Sequence, residues 1–498
     1  MTALTTAVIG AALCVLAANL WLIQYAANST PFWDEWDAGA ASLLKPYVEG
    51  TLTLTALFQP FNEHIIFFPR LIILFVYMIS GYYDVILQMI LNAIALASLA
   101  PVFAAYLSQG LDMSWRLYVL ASVMMMSVIP FAWENTLMGL GGTEFLLTAG
   151  FSMASLSLIV GAPAWSPRWL AGFLLAIAAF LNAASGVLAC LSAALVCAVQ
   201  ILRARRVGAR EWAGVAFLFL AGLAIIEKFI PHVPAHDALR PESFSEFAFD
   251  YLRLASWPFR FPFGMVLFLP TIAMAFRTLK ERPAIEHINW IHVAILVWLG
   301  LQFFTLVYGR GLSSTFSSRY SYVLQIGLLL NLVCLVRIIP ASWPIRRTLP
   351  WGPLALAAAF GFALAVVWRL SPASLEMRWV ELKKTHGQWE QKHVADYLNT
   401  RNEQSLADAR EFALPYPDPQ RLGRLLDDPV IRGVLPPALL GKAPPRTFVE
   451  AGKSDVLAYW FVFAILGGMI FEAGCLREAS ARSSDQCARL RAASNRAS

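Results

Sequence analysis

Apolar residues run along this chain in blocks long enough to cross a bilayer, broken by short polar joints. A helix needs on the order of 17 to 25 largely apolar residues to traverse about 30 Å of hydrocarbon. Runs of that kind begin near Ala7, Asp84, Trp115, Glu144, Trp169, Ser185, Trp212, Phe259, Trp290, Tyr320, Trp351 and Val456. The pattern predicts an all-α polytopic membrane protein with about 12 transmembrane helices, within a range of about 11 to 13. The first run, Ala7 to Tyr25, lacks a basic start and is long for a signal-peptide core, so it reads as a retained span. One more run, His64 to Ser80, is crowded at its start by Asn62, Glu63, His64 and Arg70, and Pro69 should break it early.

Basic clusters set the expected orientation, because Lys and Arg are retained on the cytoplasmic side of short loops. Arg203, Arg205, Arg206 and Arg210, then Arg277, Lys280 and Arg282, then Arg337, Arg346 and Arg347, and finally Arg477, Arg482, Arg489 and Arg491 are mutually consistent when each intervening run crosses once. Counting back from Arg203, the segments Pro31–Asp37 and Gly81–Asp84 share the external side only if His64 to Ser80 lies along the outer leaflet as a juxtamembrane helix. The alternative is an ordinary span there and a miscount elsewhere. The expected organisation is a transmembrane core over 1–369 with an external first loop over 28–83, a small helical external lobe over 370–455, and a last span with a basic cytoplasmic tail over 456–498.

Composition agrees with the pattern: of 498 residues, 58% are hydrophobic and 14% charged, too apolar for a soluble fold of this length. The formal charge of +6 is accounted for by the cytoplasmic clusters, which removes the case for a nucleic-acid partner. Cys14, Cys190, Cys197 and Cys334 lie within apolar runs and Cys475 and Cys487 at or beyond the last, so no external disulfide and no CxxC metal spacing is implied. Short loops without external cysteines fit a bacterial inner membrane.

Against that background Pro31-Phe32-Trp33-Asp34-Glu35-Trp36-Asp37 stands out, with three carboxylates and two indoles directly after a span. Indoles at the headgroup level anchor a segment and partly desolvate acids beside them, which raises a carboxyl toward the range of a general base. Outward arginines are disfavoured by the same charge rule, so Arg70, Arg253, Arg260, Arg310 and Arg319 ask for counter-anions. A fixed phosphate is one answer. Internal pairing with Asp34, Glu35 or Glu134, or snorkelling to headgroups, is the other. Glu134 and Asn135 could touch sugar hydroxyls or cap a helix. His232, His236 and Asp237 read as solvated loop residues. His64 with Glu63 could serve as an alternative base or hold a hard divalent cation beside the acids, but the reading expects no cofactor.

A first span followed at once by an external acidic pair, Asp34-Glu35, then a juxtamembrane segment leading into Gly81-Tyr82-Tyr83-Asp84, many spans and a C-terminal external lobe resembles the GT-C superfamily of membrane glycosyltransferases. The resemblance covers the architecture of the whole chain and is sharp over Asp34 to Asp84. It implies a polyprenyl-phosphate sugar donor, a periplasmic active site facing membrane lipids, and a cell-envelope glycan, lipid or protein as acceptor. It makes Asp34 the base, with Glu35 or Asp37 as alternates. Arg310, Arg319, Arg70, Arg260 and Tyr320 would bind the donor phosphate, and Asn62, Glu63, His64, Glu134 and Asn135 the substrates. The Lys-Pro-Pro segment of the aminoarabinose-transferase branch and the WWD signature of the oligosaccharyltransferase branch are absent, which leaves the subfamily open. The rival function is a multi-pass transporter or flippase for lipid-linked glycans; charge concentrated at one face, with largely clean spans, argues against it.

Overall fold

The computed structural model describes residues 1–259, 261–314, 317–338, 375–408, 410 and 412–497. Among these the protein is built from helices, with a single isolated bridge between Phe61 and His64 in place of any strand. Among the described residues, eight helical segments are long and apolar enough to cross a membrane, namely Ala3–Ala26, Val85–Leu107, Gly139–Val160, Ala184–Leu202, Ala209–Phe229, Ile288–Gly311, Ser318–Ile338 and Trp460–Ala481. The expected run from Trp351 lies outside the described residues.

The helices are labelled α1 (Ala3–Ala26), α2 (Phe67–Ser80), α3 (Val85–Leu107), α4 (Met113–Val128), α5 (Gly139–Val160), α6 (Pro167–Phe180), α7 (Leu188–Leu202), α8 (Ala209–Phe229), α9 (Phe244–Ala255), α10 (Leu269–Glu281), α11 (Ile288–Ser314), α12 (Ser321–Ile338), α13 (Leu375–Thr400), α14 (Pro419–Asp427), α15 (Pro429–Val434), α16 (Phe448–Ala458) and α17 (Trp460–Ala497). Three runs read as full crossings form shorter helices. α4 has 16 residues and α6 has 14, and the run from Phe259 gives a 3₁₀ turn, Phe263–Phe268, followed by the 13 residues of α10. Prolines account for the difference: Pro130 follows α4, Pro167 opens α6, and Pro262 and Pro270 interrupt the third run. Apolar content continues across such breaks while the helix does not.

The segment His64 to Ser80 becomes α2, 14 residues preceded by Ile66 in a left-handed conformation at φ 41°. At about 1.5 Å per residue it spans about 21 Å, short of the bilayer core. Pro69 does not break it. It sits in the first turn, where a missing N–H leaves no bond unmade. Gly81 ends α2 at φ 78°, a conformation that costs a residue without a side chain little. The motif Gly81–Asp84 is a structural joint: Asp84 caps α3 through the Leu87 N–H (3.0 Å) and pairs with Lys453 of α16 (2.6 Å).

α1 and α17 pack through small residues. A Cβ on Gly10 would fall 2.4 Å from the Phe471 backbone nitrogen, and one on Gly467 would fall 2.7 Å from Cys14 Sγ and 2.8 Å from the Gly10 carbonyl oxygen. Such close backbone approach is how helices associate where lipid tails are as apolar as the side chains.

α13 to α15 form a lobe seated on the end of the bundle that carries Pro31–Asp37. Asn28 donates to Glu390 (2.8 Å), the Trp33 N–H donates to the Pro415 carbonyl (2.7 Å), Lys45 meets Asp428 (2.5 Å), and the Tyr83 N–H donates to the Val434 carbonyl (2.7 Å). A buried Lys383–Glu390 ion pair (2.7 Å) lies under Phe32, with the Lys383 ammonium 3.5 Å from the ring centroid.

Candidate functional site

The acidic motif is shaped by its backbone. Trp33 is left-handed at φ 51°, and from Glu35 to Leu44 the chain winds as a π-helix ending in a bond from the Lys45 N–H to the Ala40 carbonyl. Both are sparsely populated geometries that the surrounding structure has to hold in place, and both recur at functional sites. Holding is done by two of the three acids. Glu35 is fully buried and accepts from the Phe32 N–H (2.7 Å) and from the Leu140 N–H (3.1 Å) at the start of α5. Burial, opposed by these amides and by Lys383, pushes its carboxyl up to about 7. Asp37 accepts from the Tyr416 hydroxyl and from Arg421 Nη2 (2.7 Å), tying the motif to the lobe.

Asp34 alone of the three lines a cavity of about 940 Å³ at this end of the bundle. Burial raises its carboxyl above the ordinary value of 3.8 and Asp37 adds to the rise, while Arg319, Arg310 and His236 pull the other way. Around it the cavity wall carries Asn62, Glu63 and His64 from the loop before α2, Glu134, Glu144 of α5, Arg310 near the end of α11, and Arg319 and Tyr320 at the entry to α12. Trp33, Trp257, Phe259, Phe261 and Trp379 supply aromatic surface.

The cations are held near carboxylates at distances longer than direct hydrogen bonds. Arg310 Nη2 lies 3.6 Å from Glu63 Oε2, and Arg319 Nη2 lies 3.6 Å from Glu134 Oε1 with its guanidinium 5.6 Å from the Trp33 ring centroid. Glu63 also bonds His236 Nδ1. Burial pushes Glu63 upward, but this bond and the charges of His64 and Arg310 outweigh it, and the carboxyl is held below its usual range. Glu134 accepts from the Arg319 N–H (2.9 Å) and the Ser317 hydroxyl (2.8 Å), so it caps the turn into α12 while facing the cavity.

The expected residues divide accordingly. Asp34, Asn62, Glu63, His64, Glu134, Arg310, Arg319 and Tyr320 converge on one cavity. Glu35 and Asp37 do not line it, for the reasons given. Arg70 serves the loop before α2 instead of the cavity. It is 3% exposed, and its Nη1 donates to the carbonyls of Leu57, Gln59 and Ile65, which closes that loop. Asn135 is buried and donates to the Arg319 carbonyl (2.8 Å). Arg260 lies outside the described residues. The sequence pattern puts His236 in solvent with His232 and Asp237. Those two pair with each other in the open at 2.9 Å, but His236 reaches the cavity wall.

Glu144, Glu376 and Trp379 do not stand out in the sequence reading. Glu144 carries a signal, being an acid inside an apolar run. Glu376 carries none; it comes from the lobe, accepts from the Trp133 indole N–H (2.6 Å), and is pushed by burial up to about 8. Among the described residues, no three His, Cys, Asp or Glu side chains converge at metal-binding range.

A second cavity, of about 490 Å³, lies beside the first among α1, α3, α4, α5 and α12, and its lining is almost wholly apolar. Phe145 and Tyr320 line the polar cavity, and their near neighbours Leu146 and Tyr322 line the apolar one. The site thus combines a desolvated carboxyl, three arginines (Arg253, Arg310 and Arg319) and an apolar compartment at the end of membrane-length helices. The chain matches no family model, no curated protein and no solved structure with which it was compared.

Proposed function

We propose that this protein is an integral-membrane glycosyltransferase that moves a sugar from a polyprenyl-phosphate donor to an acceptor at the cell envelope, with inversion at the anomeric carbon. The observation that carries this reading is the meeting of Asp34 with Arg310, Arg319 and Tyr320 in a 940 Å³ polar cavity next to a 490 Å³ apolar one. A lipid phosphate has both characters, an anion for the guanidinium groups and a hydrocarbon chain for the apolar compartment.

In this mechanism the acceptor hydroxyl, or an amine in its place, gives its proton to the Asp34 carboxylate as its lone pair attacks the anomeric carbon. The bond from that carbon to the phosphate oxygen breaks on the opposite face, its electron pair leaves with the phosphate, and the two arginines stabilise the growing negative charge. Burial of Asp34 makes it a stronger base than an exposed aspartate. The proposed setting is a bacterial inner membrane with this cavity on the periplasmic side.

Membranes carrying the protein, given polyprenyl-phosphate hexoses with a labelled sugar, test the reading. Asp34→Asn should lower transfer by about 10²- to 10⁴-fold, the usual contribution of a general base, while lipid-phosphate binding stays intact. Undiminished transfer would refute the role of Asp34. Passage of the intact sugar-lipid across the bilayer, without transfer, would favour a flippase.

A further inference from the structure

The chemistry proposed above uses Asp34 and the arginines and gives no role to His64 and Glu144, two of the other polar groups on the cavity wall. His64 precedes the left-handed turn at Ile66, and its Nδ1 accepts the Ala184 N–H at 3.1 Å. A backbone N–H can only donate, so Nδ1 carries its lone pair there, and the neutral imidazole holds its hydrogen on Nε2. Burial, countered by Glu63 and reinforced by Arg310, His236 and Arg319, lowers the ring to about 4 and keeps it neutral near pH 7. Its Nε2 lies 3.7 Å from Glu144 Oε1, beyond the reach of a direct hydrogen bond. Glu144 is 8% exposed, lines the same cavity as Asp34, and its Oε1 has no hydrogen-bond partner among the described residues.

We propose that His64 and Glu144 form a hydroxyl-recognition subsite for the sugar of the lipid-phosphate donor, a sugar hydroxyl accepting from His64 Nε2–H and donating to the unpartnered Glu144 Oε1. This rests on the transferase reading. An oxygen about 2.8 Å from each partner closes a triangle over the 3.7 Å separation, and the soft last torsion of glutamate lets the carboxylate turn to meet it. The ligand class follows from the donor and acceptor count. His64 Nε2–H needs a lone pair and the unpartnered Glu144 Oε1 takes a hydrogen; an ammonium brings no lone pair for His64, whereas a hydroxyl supplies both from one atom.

The full chain in detergent is titrated with polyprenyl monophosphate lacking a sugar, and with the same lipid phosphate carrying glucose, galactose or mannose. The wild type is expected to prefer one sugar-bearing form over the bare lipid. Glu144→Leu and His64→Phe should each lose about 10- to 100-fold of that preference, the range for a hydrogen bond to a charged or buried partner, with affinity for the bare lipid phosphate unchanged. His64→Gln, which keeps an N–H in place of Nε2, should recover most of the loss. One monodeoxy sugar should reproduce the loss in wild type and cause no further loss in Glu144→Leu. If both variants keep the full sugar preference, or lose both lipids equally, the subsite is wrong and the transferase reading stands. If the wild type binds no lipid phosphate at all, the transferase reading falls and the subsite with it.

Discussion

Glu35 and Asp34 are adjacent, yet the geometry assigns them opposite consequences on substitution. Glu35→Ala removes the acceptor of two buried backbone N–H groups, those of Phe32 and Leu140. An unsatisfied buried donor costs about 1–3 kcal/mol, so the variant should lose about 2–6 kcal/mol of stability. The pH dependence gives an independent check. The buried Glu35 carboxyl is raised from 4.5 to about 7, and at about 1.4 kcal/mol per unit this amounts to about 3 kcal/mol of linkage. Because the folded value is the higher one, that contribution is fully present below about pH 4.5 and is lost as pH rises to about 7. Thermal unfolding of the detergent-solubilised chain, followed between pH 5 and 8, should show this decline in wild type and a flatter profile in Glu35→Ala. A variant as stable as wild type, with an unchanged pH profile, would refute the assignment of Glu35 as the clamp between the motif and α5.

The rate of sugar transfer should fall as pH drops through the raised value of Asp34, since the base must be ionised, and this acid limb should vanish in the residual activity of Asp34→Asn; a limb that persists would place the titration elsewhere. Asp37→Ala breaks the contacts to Tyr416 and Arg421, so limited proteolysis should cut the lobe several-fold faster while the spans stay protected. Gly467→Leu drives a side chain into Cys14 and the Gly10 carbonyl, and should cost about 1–3 kcal/mol in a thermal melt, where Gly468→Leu, with no atom within 4 Å of the place its Cβ would take, costs little.

Membrane character was legible because bilayer thickness sets the length of an apolar run. Helix ends were less so: hydropathy sums over residues and is blind to the proline that stops α4 or divides the run from Phe259. The acidic motif declared itself through charge placed where charge is costly. What sequence could not give was the separate fate of its three acids. Neighbouring positions on a helical backbone point in different directions, so Asp34, Glu35 and Asp37 face a cavity, a helix N-terminus and the lobe, and only the fold says which faces which. Arg70 shows the converse, since an arginine near a membrane surface reads as a candidate anion site, while three carbonyls from a tight loop had already claimed it. Glu376 was invisible because its place on the wall depends on how a distant segment docks.

The pairing of α1 with α17 bears on assembly. Chains are made from the N-terminus, so the small-residue face of α1, with Ala3, Ala7, Gly10 and Cys14, is in the bilayer long before Gly467 and Gly474 are synthesised. Until then that groove has lipid or another helix for company, and Trp379 and Glu376 have still to arrive at their wall. The cavity around Asp34 is therefore completed late in biogenesis, and a chain truncated before its last helix would keep most of its spans but lose the partner that closes the bundle around its first.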